Sequence, residues 1–243
     1  MSYVASDLEA HNREWSDQIK SRQDDMAAFL SYFDTASSVD EAYQQGFWDL
    51  SFHVLKPKVL QHLGEPYKLN ALEIGFGGGR LVHAASKFFE RVYGVDIHDS
   101  FEQVESLLKE RGVNNVKLLK GAGSNLPVPN DSIDFVFSFI VLQHLPYIET
   151  LESYISEVSR ILKVGKPTIL YFGYKPLLSR NAFTDMNTSS ISSSRENSLL
   201  IKSYYARQLL SQAGLKVIGG GRSPKRPWSS QFGQQTYVIA IKS

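Results

Sequence analysis

The chain has 243 residues, enough for one domain with a sizeable buried core and an extension. Its 26 Lys and Arg against 25 Asp and Glu leave a net charge of +1 without a basic block, so no nucleic acid is expected as a partner. The absence of cysteine excludes disulfide and thiolate chemistry, no apolar run reaches the length of a membrane span, and the first residues lack a secretory pattern; no membrane association and a cytoplasmic location are expected.

Residues 8–33 place Leu8, Trp15, Ile19, Met26, Leu30 and Phe33 at helical spacing, one apolar stripe of an α-helix. A second helical stretch over about 40–63 carries Tyr43, Phe47, Trp48, Phe52, Val59 and Leu63, and Pro57 is expected to break or kink it. Residues 1–66 therefore read as a helical extension ahead of a domain over 67–243. Packing against that domain, a homodimer contact and a cover over a ligand site are the alternatives for its role. His53 and His62 lie on roughly opposite sides of an ideal helix, no His/Cys/acid cluster has metal-ligand spacing, and no metal is expected.

Asn70-Ala71-Leu72-Glu73-Ile74 is an apolar run of a buried parallel strand, ending in the glycine-rich turn Gly75-Phe76-Gly77-Gly78-Gly79. A helical pattern follows at once at Leu81, Val82, Ala84 and Ala85. Strand, glycine turn and helix bring bare backbone N–H groups to a helix N-terminus at the carboxyl ends of the strands, where open α/β sheets hold nucleotide-like ligands. The dinucleotide pattern G-x-G-x-x-G fails, because Arg80 stands at its third glycine. The spacing that fits is acid-x-Gly-x-Gly-x-Gly, from Glu73 through Gly75 and Gly77 to Gly79.

A second strand, Arg91–Val95, ends at Asp96 and Ile97; an acid there can accept two ribose hydroxyls. A third strand, Val116–Lys120, leads into Gly121-Ala122-Gly123-Ser124. A fourth lies within Asp131–Phe139 and runs on to Gln143-His144-Leu145.

These segments, in this order, resemble the motifs of class I S-adenosylmethionine-dependent methyltransferases, most of all the small-molecule subgroup called type 11. The resemblance spans about residues 69–242. It implies a Rossmann-like, doubly wound α/β sheet of seven strands, mostly parallel with an antiparallel last strand. It also implies S-adenosyl-L-methionine as cofactor and S-adenosyl-L-homocysteine as product. By the resemblance Glu73, Gly75, Gly77 and Gly79 hold the methionine end, Asp96 the ribose and Ile97 the adenine, with Ala122, Gly123 and Phe139 completing the cofactor contacts. One departure is plain: the family usually has Asp at the position of Ala122, where it accepts from the adenine amino group.

The sequence continues with a helix ending near Val164-Gly165-Lys166, a fifth strand over Pro167–Gly173, and a long serine-rich segment, 174–200, readable as a substrate flap or as a disordered insertion. Leu209–Ala213 reads as the last helix, closed by Gly214, before strands near 215–221 and 235–242. The turn between those strands carries Arg222, Lys225, Arg226 and Trp228, candidates to hold an anionic group on an acceptor or to form a solvated loop.

Methyl transfer from a sulfonium is an in-line displacement, so the protein chiefly positions two reactants and excludes water. A hydroxyl acceptor also needs its proton removed. His144, just past the fourth strand, is the candidate general base, because an ordinary imidazole titrates near working pH. Its alternative role is to cap or pack beneath the helix beginning near Tyr147. Trp48, Gln143, Tyr147, Arg222 and Arg226 are the candidate substrate contacts. The expected function is methyl transfer to a small-molecule acceptor at a hydroxyl oxygen. The alternatives are N- or C-methylation of a small metabolite, or a non-catalytic cofactor-binding partner subunit.

Overall fold

The computed structural model describes residues 2–33, 36–121, 125–187, 199–224, 226 and 235–243. The single apolar stripe at the N-terminus becomes two helices, α1 (Ser2–Lys20) and α2 (Met26–Phe33). The break falls at Asp25, whose carboxylate accepts the backbone N–H groups of Ala27 (3.0 Å) and Ala28 (3.1 Å) and so caps α2. At the start of α3 (Val39–Asp49) Ser38 is the N-cap and accepts from the Glu41 N–H, while the Glu41 carboxylate reaches back to accept from the Ser37 N–H at 2.7 Å. α3 runs directly into a π-helical turn, Leu50–Val54, before α4 (Pro57–Leu63). Pro57 thus starts a new helix at its first turn, where its missing N–H costs nothing.

The strands β1 (Asn70–Ile74), β2 (Arg91–Asp96), β3 (Val116–Lys120), β4 (Phe135–Ser138), β5 (Pro167–Tyr174), β6 (Phe183–Thr184), β7 (Leu200–Ile201), β8 (Leu215–Arg222) and β9 (Gln235–Lys242) form one sheet. Its core order is β3-β2-β1-β4-β5-β9-β8, parallel from β3 to β5, with β9 antiparallel to both β5 and β8. The order reverses between β1 and β4, which opens a ligand crevice at the carboxyl ends of the strands. Among the described residues nine strands stand where seven were expected. The additional pair, β6 and β7, comes from the two ends of the serine-rich segment and adds to β5 at Gly173 and Tyr174, past the last residues that β5 shares with β4. Residues 188–198 of that segment lie outside the described residues.

Alternation along the strands sorts the core into two layers. Ala71, Phe135, Phe137, Ile169 and Tyr171 face α5 (Arg80–Ala85), α6 (Phe101–Glu110) and the N-terminal helices. Leu72, Ile74, Val136, Leu170 and Phe172 face α7 (Ile148–Ile161) and α8 (Ser203–Gln212). Glu73 falls on the first of these faces, an acid at a position where the pattern otherwise puts a hydrophobe.

Candidate active site

The turn after β1 needs its glycines. Gly75 and Gly77 have φ of 79° and 50°, the left-handed region that side chains disfavour. A Cβ on Gly75 would meet Val141 Cγ2 at 2.3 Å, and one on Gly77 would meet the Phe33 ring at 2.8 Å. Two side chains then fix Gly77 from either side. Asp96 Oδ2 accepts the Gly77 N–H at 2.8 Å, while Asp96 Oδ1 accepts from the Ile97 N–H at 2.7 Å. His98, fully buried, accepts the Ser100 N–H on Nδ1, which leaves Nε2 to donate to the Gly77 carbonyl at 3.2 Å. Its ring is enclosed by Phe33, Phe76 and Phe101. Sequence reasoning passed over His98, although its place two residues past the strand-ending acid was the available signal.

Beside this turn lies a cavity of about 430 Å³. Gly75, Gly77, Asp96 and Ile97 form one part of its wall and His144 another. His11, Asn12, Trp15 and Ile19 of α1 and Ser31, Tyr32 and Phe33 of α2 form a further part. Helices α1 and α2 therefore line the crevice. Trp15 meets the ring of His144 at 5.3 Å and that of Tyr32 at 5.9 Å, both edge-on. His11 Nε2 donates to the His144 carbonyl at 3.0 Å, and burial lowers the pKa of His11, keeping it neutral. Ile140, also in the wall, is held at φ 63°, a conformation rare for a β-branched residue and of the kind that clusters at functional sites.

Other expected residues lie elsewhere. Glu73 sits behind the wall, buried, with the Val82 N–H on its carboxyl group and Oε2 without a hydrogen-bond partner. Burial raises its pKa well above the usual carboxylate range, and the nearby Arg80 opposes that rise. Phe139 packs on His53 and Tyr171, away from the cavity, under the guanidinium groups of Arg226 (5.5 Å) and Arg80 (5.9 Å). Arg226 does not reach the cavity; its Nε donates to Asp49 Oδ1 at 3.0 Å, and Arg80 pairs with the same carboxylate, both contacts buried. Arg222 lies over Tyr174 at 4.0 Å. Trp48 stacks on Phe52, Tyr147 occupies the N-cap position of α7, and Gln143 is buried beside His144. Ala122, Gly123, Ser124, Lys225 and Trp228 lie outside the described residues. Asp49 gave no signal in the sequence, because its partners are 31 and 177 residues away.

The residues present suit S-adenosylmethionine. Each Asp96 oxygen accepts one backbone N–H and retains a lone pair for a sugar diol. Glu73 Oε2 is a buried acceptor in want of a donor, as an ammonium group would supply. Among the described residues no group of three or more potential ligands is arranged to hold a metal ion, and no helix is long and apolar enough to cross a membrane.

Fold and site together define a doubly wound α/β protein with a glycine-turn site for a nucleotide-like ligand. Residues 72–170 match the family described as "Methyltransferase domain". The chain is 31% identical over 106 residues to an uncharacterized methyltransferase, YcgJ, of Bacillus subtilis (strain 168), covering 43% of this chain and 41% of that protein. It is 34% identical over 89 residues to demethylmenaquinone methyltransferase of Geobacillus stearothermophilus, covering 36% of this chain and 37% of that one. The chain thus spans about two fifths of the length of these curated relatives. Among solved structures, a SAM-dependent methyltransferase from Aquifex aeolicus superposes with a TM-score of 0.56 at 17% identity, covering 84% of this chain and 98% of that one. The [4+2]-cyclase SpnF superposes with a TM-score of 0.60 at 14% identity, covering 84% and 81%. Over residues 72–170, about two fifths of its length, the chain is similar to that methyltransferase domain family, and the solved structures share its fold. The cyclase among its structural neighbours illustrates that this fold alone does not fix the reaction.

Proposed function

We propose that this protein transfers a methyl group from S-adenosylmethionine to a hydroxyl oxygen of a small-molecule acceptor, with His144 as general base. The observation that carries the reading is the composition of one cavity wall, in which Asp96 and the glycine turn stand together with the imidazole of His144. Asp96, Ile97, Gly75 and Gly77 would hold the cofactor, with Glu73 toward its ammonium group. When bound, the cofactor supplies an activated methyl group on a sulfonium. The chain's own work is to hold the acceptor in line, exclude water under α1 and α2, and take the hydroxyl proton at the imidazole. Residues 1–66 then act as a cover for the domain at 67–243.

A second reading is methylation at carbon. The relative named for demethylmenaquinone favours a ring-bearing acceptor, and a wall containing Trp15, Tyr32, Phe33 and Tyr154 would suit one. Turnover of S-adenosylmethionine against a panel of phenols, alcohols, amines and quinols tests both readings. His144→Ala is expected to lower transfer to a hydroxyl by on the order of 10²–10⁴ while sparing cofactor affinity. Full transfer to oxygen by that variant, with an unchanged pH profile, would remove the base role; methylation only at carbon or nitrogen would favour the second reading. A protein that binds the cofactor and turns over no acceptor, alone or with a partner chain, would fit a non-catalytic subunit.

A further inference from the structure

We propose that Gln143 and Gln235 form a positioning relay for His144, holding its Nε2 and stabilising the imidazole once protonated; this rests on the reading of His144 as the base. Gln143 follows β4 on the 3₁₀ turn Leu142–His144, and Gln235 begins β9, 92 residues further on. Both side chains are buried. Gln235 Nε2 donates to Gln143 Oε1, and Gln143 Nε2 lies 3.2 Å from His144 Nε2. Three side chains are thus joined in series from the sheet interior to the cavity wall.

The direction of this series is reversible. An amide turned by 180° about its last bond places nitrogen and oxygen in each other's positions. As arranged, Gln143 donates to His144 Nε2, which requires the ring proton on Nδ1 and leaves Gln235 Oε1 buried without a partner. With both amides turned, His144 Nε2–H donates to Gln143 Oε1, and Gln143 Nε2 donates to Gln235. The unsatisfied group at the far end changes from an acceptor to a donor, so neither direction is strongly favoured. An imidazole that has accepted a proton carries N–H on both nitrogens, and only the second direction serves it. That direction also leaves Nδ1 as the basic nitrogen before transfer. The relay can therefore follow the protonation state of the base without moving any heavy atom far.

The surrounding structure keeps Gln143 in place. Its carbonyl accepts the Leu199 N–H at 2.9 Å. Gly173 of β5 gives it room, because a Cβ there would stand 3.3 Å from Gln143 Cβ and 2.4 Å from the Leu199 carbonyl oxygen. The turn is held from the other side by the His11 bond to the His144 carbonyl and by the edge of Trp15. His11, Tyr32, Asp96 and Tyr154 are the titratable groups that share the cavity wall with His144.

NMR of the full chain with isotope-labelled imidazoles follows His144 directly and needs no acceptor; the signal lost in His144→Ala assigns it. Gln143→Glu places a carboxylate on Nε2 and is expected to move the His144 titration up by about 1–3 pH units. Gln143→Leu and Gln235→Leu are expected to move it down. Calorimetry with S-adenosylhomocysteine checks that each variant is folded, and Gln235→Leu serves if Gln143 variants are not. A His144 titration unmoved in folded Gln143→Glu or Gln235→Leu overturns the relay, even if His144→Ala abolishes transfer. A titration that moves as expected, together with full turnover by His144→Ala, overturns the base reading that the relay serves.

Discussion

The two flanks of the glycine turn are built from different materials. The flank facing the cavity is backbone, aliphatic and aromatic side chains, the imidazoles of His11 and His144, and one carboxylate, Asp96. The other flank holds a buried cluster of charge: Arg80, Asp49 and Arg226, with His53 and Phe139 among them. Arginines that looked suited to an acceptor's anion belong to the second flank. The difference teaches that buried charge here fastens α3, α5 and the β8–β9 connection to one another. Ligand recognition, on the proposed reading, falls to the cavity flank and its carboxylate Asp96. Substitutions on the charged flank should therefore act on stability, and substitutions on the cavity flank on binding.

Asp49→Ala is the strongest way to break that distinction. It leaves two buried guanidinium groups without their shared carboxylate, and removal of one partner from a buried ion pair typically costs about 3–5 kcal/mol. Urea unfolding should show that loss, with S-adenosylhomocysteine affinity little changed in the protein that remains folded. A normal unfolding midpoint would mean that the cluster does not fasten these elements. Asp96→Ala is the converse. It should weaken cofactor binding by about 1.5–3 kcal/mol, the value of hydrogen bonds to a charged group, and alter the unfolding midpoint far less. Calorimetry showing affinity within twofold of the parent chain would remove Asp96 from the ribose site.

The same division governs what the sequence revealed. β1 and β3 were legible to the residue, β1 as an apolar run ending in glycines and β3 as Val116, Leu118 and Leu119 between turn residues. The glycine turn and Asp96 were legible because their spacing is local, one helix and one strand apart. The charged flank was not, since Asp49, Arg80 and Arg226 meet only through the fold. Trp15 and Ile19 were visible as a helical stripe, but not as cavity wall; periodicity shows that a face is buried and not against what. β6 and β7 were missed because two-residue strands leave no pattern, and the φ of Ile140 has no signature in sequence at all.

Acidification should separate the flanks more gently. On the charged flank burial, followed by Lys56, Arg226 and Arg80, pushes the His53 pKa down to about 3; burial, then Lys87 and Arg111, takes that of His83 to about 4. The unfolded chain protonates both near pH 6.5, so between there and about pH 3–4 it binds more protons than the folded chain. The stability these histidines confer is whole above pH 6.5 and is lost as pH falls through that window. Thermal unfolding should show the melting temperature declining by roughly 2–4 °C for each kcal/mol lost, with a shallower decline in His53→Gln. A melting temperature level from pH 7 to pH 4.5 would show that neither ring is kept neutral by the fold.

The smallest effect is expected at Ile140, where the cavity flank stores strain. A left-handed conformation costs a residue with a Cβ about 1–2 kcal/mol, and Ile140→Gly would recover it. Against this stand the lost packing of a half-buried side chain and the greater freedom of glycine in the unfolded chain, about 0.5–1 kcal/mol. These terms nearly cancel, so stability should change by no more than about 1 kcal/mol, where a large-to-small change at a fully buried site costs about 2–5 kcal/mol. Function should respond differently, because the strained backbone presents Ile140 to the wall between Val141 and the end of β4. Cofactor affinity or turnover should fall in a variant of nearly unchanged melting temperature. Destabilisation by several kcal/mol with unchanged binding would instead make Ile140 an ordinary core residue, and the strain would have no part in the site.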